Sequence, residues 1–173
     1  AKAMVERSIR VFLDVGEQQE LAQALELLGR IEYWQANYVE AEQRFEESLA
    51  LCRQIGDKAG QAQALNCLSN AVCEKDADYV RGQSLLEESL ALAREIGDEF
   101  AIAKVLVNQG ACAQEIGDHE RARRYYKQSL QIYREIDYPH GQSAALQYLA
   151  QVTSAAGDHD AARALIEESL VID

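Results

Sequence analysis

The chain has 173 residues, of which 48% are hydrophobic and 27% charged, with 17 lysines and arginines against 29 aspartates and glutamates. The formal charge of −12 argues against nucleic acid or an anionic membrane as the main partner, because both bind clustered Lys and Arg, and it favours a partner of basic or mixed charge. One proline and no apolar run near the roughly 20 residues of a membrane-spanning helix indicate a soluble helical protein, which we expect to be cytoplasmic.

The sequence repeats itself with a period near 40 residues. The pairs Ser48-Leu49, Ser89-Leu90, Ser129-Leu130 and Ser169-Leu170 are spaced 41, 40 and 40 residues apart, and they define copies one to four. The pair Ser8-Ile9 places residues 1–15 in the same register. A period of this size is typical of solenoids, in which successive helical units stack on one another.

In chain order, two kinds of amphipathic helix alternate, because apolar residues recur at helical spacing throughout. We predict a helix B over residues 1–15, and then helices A and B over 21–35 and 41–57, 62–75 and 82–98, 103–117 and 122–138, and 144–157 and 162–173. Ile-Gly-Asp ends two of the B helices. The glycine favours the left-handed backbone that closes a helix, and Asp57 or Asp98 is placed to cap the next helix. After the third copy, Pro139 takes over at the first turn of the following helix.

The spacing of small and large residues resembles the tetratricopeptide repeat. The matching residues are Leu25, Gly29, Ala41, Phe45 and Ser48 in copy one; Leu65, Ser69, Gly82, Leu86 and Ser89 in copy two; Leu106, Gly110, Ala122, Tyr126 and Ser129 in copy three; and Leu146, Ala150, Ala162, Ile166 and Ser169 in copy four. Copy two matches only with one extra residue between positions 69 and 82. Units of about 40 residues are longer than the usual 34 and are similar to those of kinesin light chains, G-protein-signalling adaptors and bacterial signalling and transcription regulators.

This resemblance implies an all-α fold, a right-handed α-solenoid of antiparallel helix pairs, in which small residues let helices A and B approach closely. We expect one solenoid over residues 1–173: helix B of a preceding repeat over 1–15, and then repeats over 17–56, 57–97, 98–137 and 138–173, the last one truncated. Both ends cut through a repeat, so we expect the chain to be a fragment of a longer protein.

Nothing in the sequence predicts catalysis, a metal or a cofactor. The pairs Glu46-Glu47, Glu87-Glu88 and Glu167-Glu168 are neighbours on a helix, so their side chains diverge by about 100°, and we interpret them as solvated. The cysteines lack paired spacing and are expected to be buried or half-buried thiols. The three histidines fall in or beside turns without ligand spacing. We therefore expect a protein that is not an enzyme.

Binding is the expected role, since in the family the A helices line a concave groove. Carrying the groove positions over by the pattern gives Gln23, Glu26, Arg30 and Tyr33 from copy one; Gln63, Asn66 and Asn70 from copy two; Lys104, Asn108 and Gln114 from copy three; and Gln147 and Gln151 from copy four. Amides dominate this set, and an amide side chain donates and accepts hydrogen bonds simultaneously, as recognition of a peptide backbone requires. Solvated helix faces also contain such residues, so the alternative is an ordinary polar surface.

Two features of the aromatic residues bear on this expectation. Trp34 and Tyr33 end the first helix A, where Trp34 is expected to plug the space between helices, with an exposed anchor for a partner as the alternative. Tyr126 occupies a packing position, which leaves Tyr125 to face outward.

The leading hypothesis is a non-catalytic protein-interaction module that binds a peptide or protein segment and forms the sensor or scaffold region of a larger signalling or regulatory protein. The alternative is a structural spacer or self-association element that stacks through its open ends.

Overall fold

The computed structural model describes residues 2–172, and within this range it contains nine helices and no strand, which confirms the all-α fold. The helices are α1 (Lys2–Val15), α2 (Gln18–Trp34), α3 (Tyr38–Ile55), α4 (Lys58–Asp76), α5 (Tyr79–Ile96), α6 (Glu99–Glu115), α7 (His119–Glu135), α8 (Pro139–Ala155) and α9 (His159–Ile172). The domain limits predicted at residues 1 and 173 lie outside the described residues. The A helices begin three to five residues before the predicted stretches, because their first turns are mostly polar and the sequence pattern located only the apolar part.

The helices belong to two compact units, α1 to α5 and α6 to α9. In the first unit each helix packs on the next one in the chain, and α2 also contacts α4. In the second unit α6 packs on α7, α7 on α8, and α8 on α9. Within each unit the helices therefore pack in series, as stacked helix pairs do.

Each helix pair is held by the serine that defines the repeat. The hydroxyls of Ser48, Ser89 and Ser129 are buried and donate hydrogen bonds of 2.8, 2.7 and 2.8 Å to backbone carbonyls on the preceding helix A. The acceptors are the carbonyl oxygens of Ala22, Ala62 and Ala103. In the last pair the direction differs, since the hydroxyl of Ser143 on α8 donates to the carbonyl of Ser169 at 3.4 Å.

Small residues let the paired helices approach, as the repeat pattern predicts. A Cβ atom at position 29 would lie 2.7 Å from the Phe45 ring, and one at position 110 would lie 2.4 Å from the Tyr126 ring. Both rings are almost completely buried, at 1% exposure. The glycines are therefore required by contact with these rings and not by backbone conformation.

The predicted turn chemistry is confirmed. Gly56 and Gly97 have φ angles of 72° and 69°, in the left-handed region. The carboxylates of Asp57 and Asp98 each accept a backbone N–H at 2.9 Å from the residue three positions later. Pro139 starts α8 as expected, and Asp137 takes the left-handed conformation that Gly56 and Gly97 adopt after the two preceding B helices.

A charge cluster centred on a buried carboxylate links α3, α4 and α5 at the longer second copy. Glu42 on α3 is 8% exposed and accepts hydrogen bonds from Lys75 on α4 and, at 2.6 Å, from Arg81 on α5. The guanidinium of Arg81 also donates to Glu46 at 3.1 Å. Burial raises the pKa of Glu42, but the bonds from Lys75 and Arg81 outweigh it, so the pKa falls below its ordinary value of 4.5.

Replacing Gly110 by Leu should push α6 and α7 apart, because the added side chain overlaps the buried Tyr126 ring, which is itself stacked on Tyr148 at 5.2 Å. We expect a loss of about 2–3 kcal/mol in the free energy of unfolding, measured by urea denaturation. Ala164→Leu, at an exposed site on α9, is the matched control and should cost little. Equal stability of the two variants would contradict the close approach.

Replacing Glu42 by Gln should lower stability at neutral pH by about 1–3 kcal/mol, because the two cations lose their shared carboxylate. The lowered pKa means that this stabilisation is present above about pH 4.5 and is lost as the pH falls through the pKa of the folded state. Denaturation curves of the wild type and Glu42→Gln should therefore converge in acid. Glu46→Gln is the control: it removes a carboxylate with 53% side-chain exposure and should change the curve little. If the stability of Glu42→Gln depends on pH in the same way as that of the wild type, Glu42 does not contribute the predicted pH dependence.

Candidate functional site

The four predicted positions on α2 lie on one face of that helix. They are spaced three, four and three residues apart, which is the spacing of a helical stripe. Gln23 and Arg30 are exposed, whereas Glu26 and Tyr33 are half-buried.

Predicted residues from α2 and α4 meet in the first unit. The side-chain amide of Gln63 donates a 2.5 Å hydrogen bond to Glu26 Oε2. The guanidinium of Arg30 lies one helical turn further along, with its Nη1 3.7 Å from Glu26 Oε1. The three side chains therefore form a continuous polar line across two A helices.

Gln23, Glu26 and Gln63 also line one depression, of about 410 Å³, between the start of α2, the end of α3 and the start of α4. Sequence reasoning assigned no binding role to three other residues that line it, Gln19, Cys52 and Asp57. Asp57 was expected only as a helix cap, and nothing in the repeat pattern distinguishes its position at the rim of a depression.

The structure does not support Asn66 as an accessible groove residue. Asn66 is 2% exposed and lies in the interior of the first unit, because α4 is covered by α3 and α5 and also touches α2. Asn70, one turn later, is half-buried. On α4, therefore, fewer of the predicted groove residues are accessible than the pattern predicts, and Gln63 is the exposed one.

In the second unit the predicted residues differ in accessibility. Lys104 on α6 is exposed, and Asn108 and Gln114 are half-buried. The side-chain oxygen of Gln114 accepts a 3.3 Å hydrogen bond from the hydroxyl of Tyr126, so it takes part in packing the pair. Gln147 and Gln151 on α8 are both exposed.

Gln147 and Gln151 line a larger open concavity, of about 960 Å³, between α8 and α9. The polar part of its wall includes Ser154, whose hydroxyl lies 3.2 Å from His159 Nδ1. The α9 side carries two exposed apolar side chains, Ile166 at 47% and Leu170 at 69%, beside the charged side chains of Arg163 and Glu167. His159 was not predicted as a site residue, because a lone histidine in a turn carries no signal of its own.

The aromatic end of α2 differs from the expectation. Trp34 is 81% exposed, so the prediction that it plugs the space between helices is wrong. The ring that packs inward is that of Tyr33, which contacts the core of the first unit and whose pKa is raised to about 12, first by burial and then by the nearby carboxylate of Glu74. In the second unit, Tyr126 is buried as predicted, whereas Tyr125 is only partly outward-facing and lies 3.2 Å from the Arg121 Nε.

The glutamate pairs are exposed, and several of them bridge helices: Glu88 pairs with Arg53 at 2.8 Å, and Glu168 with Arg134. The four cysteines are free thiols, two of them buried and two half-buried.

Among residues 2–172 there is no group of three or more His, Cys, Asp or Glu side chains placed to hold a metal ion. Over the same range, every helix falls short of the length and apolarity needed to cross a membrane.

A profile of the tetratricopeptide repeat matches residues 20–95, 71–135 and 101–173, which together span nearly the whole chain. The chain belongs to the tetratricopeptide-repeat family. This membership confirms the resemblance inferred from the leucine, glycine and serine positions, and it supports a protein-interaction module as the general role.

Solved structures share the fold at low sequence identity. BtubC (BKLC) from P. vanneervenii is 21% identical, with 90% of this chain and 64% of that chain covered and a TM-score of 0.77. A Rap protein complexed with competence and sporulation factor is 17% identical over 89% of this chain and 43% of its own, with a TM-score of 0.83. A signal-transduction ATPase with a tetratricopeptide-repeat sensor, from Pyrococcus horikoshii, is 15% identical over 90% and 24%, with a TM-score of 0.76.

The chain thus spans less than two thirds of the length of each of these three proteins. No curated protein sequence matches it.

Proposed function

We propose that this chain is a non-catalytic, cytoplasmic module that binds a peptide or protein segment along its A helices and serves as the sensor or scaffold region of a larger signalling or regulatory protein. The observation that carries the proposal is the depression between α2, α3 and α4, which brings Gln23, Glu26 and Gln63 together.

The chemistry of this depression suits an extended peptide. The Gln63 amide uses one N–H toward Glu26, which leaves its second N–H and its carbonyl to pair with a peptide backbone. Gln23 is exposed at the same wall and offers both a donor and an acceptor. Such main-chain hydrogen bonds bind a segment with little dependence on its side chains.

The charges favour a segment of basic or mixed character. Glu26 lines the depression, Arg30 lies beside it, and the chain as a whole carries −12. A cationic partner is therefore steered toward this surface, whereas an acidic one is repelled from it. The concavity between α8 and α9 offers a second place of similar chemistry, with Gln147 and Gln151 facing the apolar side chains of Ile166 and Leu170.

Two of the similar structures agree with this role. The Rap protein is complexed with competence and sporulation factor, and the ATPase carries its tetratricopeptide repeats as a sensor. By analogy, the present chain would be the part that senses a ligand, and the output would belong to other parts of a larger protein.

The proposal is tested by selecting peptides from a phage-displayed library of random dodecapeptides on the immobilised chain and measuring the selected peptide by calorimetry. The double variant Gln23→Ala/Gln63→Ala should weaken binding by about tenfold or more, because two amide contacts of about 0.5–1.5 kcal/mol each are lost. Circular dichroism should show unchanged helicity, since both side chains are exposed.

The matched control is Gln43→Ala/Gln54→Ala, which removes two equally exposed amides from α3. This control should bind the selected peptide as the wild type does. If both double variants bind equally well, the proposed groove is not the binding surface.

One observation favours self-association as a second candidate function. Several apolar side chains are at least half exposed on α1 and α9. On α1 they are Met4 (75%), Val11 (50%), Leu13 (60%) and Val15 (61%), and on α9 they are Leu170 (69%) and Val171 (86%). Exposed apolar side chains that recur along one helix are typical of association sites, and α1 and α9 each carry such a set.

Self-association predicts dimers or larger species in sedimentation equilibrium, and Val11→Glu or Val171→Glu should convert them to monomers by placing a charge at an exposed position of the contact. Val80→Glu is the control, because Val80 is 83% exposed and lies on α5, not on α1 or α9. A monomer at every concentration tested would exclude this second candidate.

A further inference from the structure

Trp34 is exposed at a position where helix packing does not require an apolar residue. Counted from the repeat leucine, its counterparts in the other three copies are Glu74, Glu115 and Ala155, and all three are exposed. The repeat therefore places this position in solvent, and copy one alone fills it with an indole. An indole with 81% of its surface in water gains little hydrophobic stabilisation from folding, in contrast to the usual behaviour of tryptophan.

The indole is supported by contacts with two tyrosine rings, one of which packs on the core. Its ring lies edge-on to the Tyr33 ring at 5.7 Å and 82°, and the Tyr33 ring lies in turn 5.6 Å from that of Tyr38. Tyr33 packs against the core of the first unit. A surface aromatic side chain that is already ordered loses little conformational entropy when a partner covers it.

The turn that follows Trp34 is also fixed. The side chain of Asn37 donates a 2.9 Å hydrogen bond to the Glu32 carboxylate, which is 4% exposed and is paired with Lys2 on α1 at 2.7 Å. Ala36 takes a left-handed φ of 60° between the indole and this bond. The buried carboxylate of Glu32 therefore links the turn between α2 and α3 to α1.

The charges around this support are mostly negative: the carboxylates of Glu32, Glu40 and Glu74 lie there, and the one cation described above, Lys2, is paired with Glu32 and also interacts with Glu40. The carboxylate of Glu74 lies near enough to Tyr33 to contribute to the raised pKa of its phenol, after the larger effect of burial. Glu40 is exposed in the first turn of α3, two residues after Tyr38. A cation is attracted both by the face of an indole and by neighbouring carboxylates, whereas a phosphate or an anionic lipid is repelled by them.

We propose that Trp34, supported by Tyr33 and Tyr38, is an anchor for an arginine or lysine side chain of a protein partner. The cation lies over the indole face, and Glu74 and Glu40 supply the opposite charge. This site is at the end of α2, whereas the polar depression is at its start, so the anchor does not depend on the depression being occupied.

The chain contains one tryptophan, so its fluorescence reports this position alone. The probe is an acetylated hexapeptide of alternating arginine and glycine, titrated against the whole chain. We expect a saturable change in tryptophan emission that weakens with added salt. The same peptide with citrulline in place of arginine keeps the shape without the charge, and its affinity should be lower by about fivefold.

Calorimetry with variants separates the anchor from general acidity. Trp34→Ala and Trp34→Leu should each bind the arginine peptide about fivefold more weakly, since leucine keeps apolar area but has no aromatic face. Ile116→Ala is the matched control, because Ile116 is 53% exposed immediately after α6, and it should bind as the wild type does. Trp34→Ala should still bind the selected dodecapeptide whose binding depends on Gln23 and Gln63, which distinguishes failure of the anchor from failure of the groove.

Three results would overturn the proposal. They are equal binding of the arginine and citrulline peptides, undiminished binding by Trp34→Ala, and an emission change with anionic phosphatidylserine vesicles or single-stranded DNA but not with the arginine peptide.

Discussion

The fold depends on the close approach of helix A to helix B at the repeated serine. A serine side chain is short, so its hydroxyl reaches a carbonyl on the neighbouring helix only when no bulky residue separates the two backbones. Ser48, Ser89 and Ser129 all do so, at 2.8, 2.7 and 2.8 Å. On the A helices, Gly29 and Gly110 meet the same requirement, because they leave room for the Phe45 and Tyr126 rings of the paired B helices.

This constraint also determines which residues remain available for binding. Because the small and large packing residues occupy the inner stripe of every A helix, the polar positions beside that stripe are left at the surface. On α2 these are Gln23 and Arg30, and α4 adds Gln63. Helix packing brings the two stripes together, as the hydrogen bond between Gln63 and Glu26 demonstrates. The proposed binding surface is thus a consequence of how the pairs stack and needs no additional structural element.

Departures from the repeat mark the places where this chain differs from a generic solenoid. The extra residue in copy two accompanies a longer α4 and the cluster in which Glu42 is shared by Lys75 and Arg81. In copy one, an indole replaces the glutamate or alanine found at the same position elsewhere. Neither feature is needed to pack a helix pair, which is why each invites a more specific explanation.

The sequence by itself determined the helix pairs, their caps and the family, because these follow from local spacing: a serine every 40 or 41 residues, glycine before aspartate, and apolar residues at helical intervals. It did not determine accessibility at individual groove positions. Asn66 and Gln63 lie on the same helix and read alike in the pattern, yet Asn66 is 2% exposed and Gln63 is open to solvent. Trp34 reads as a core residue but is 81% exposed. Only the tertiary structure decided these cases, because exposure depends on which neighbouring helix covers a side chain, and that neighbour is distant in the sequence.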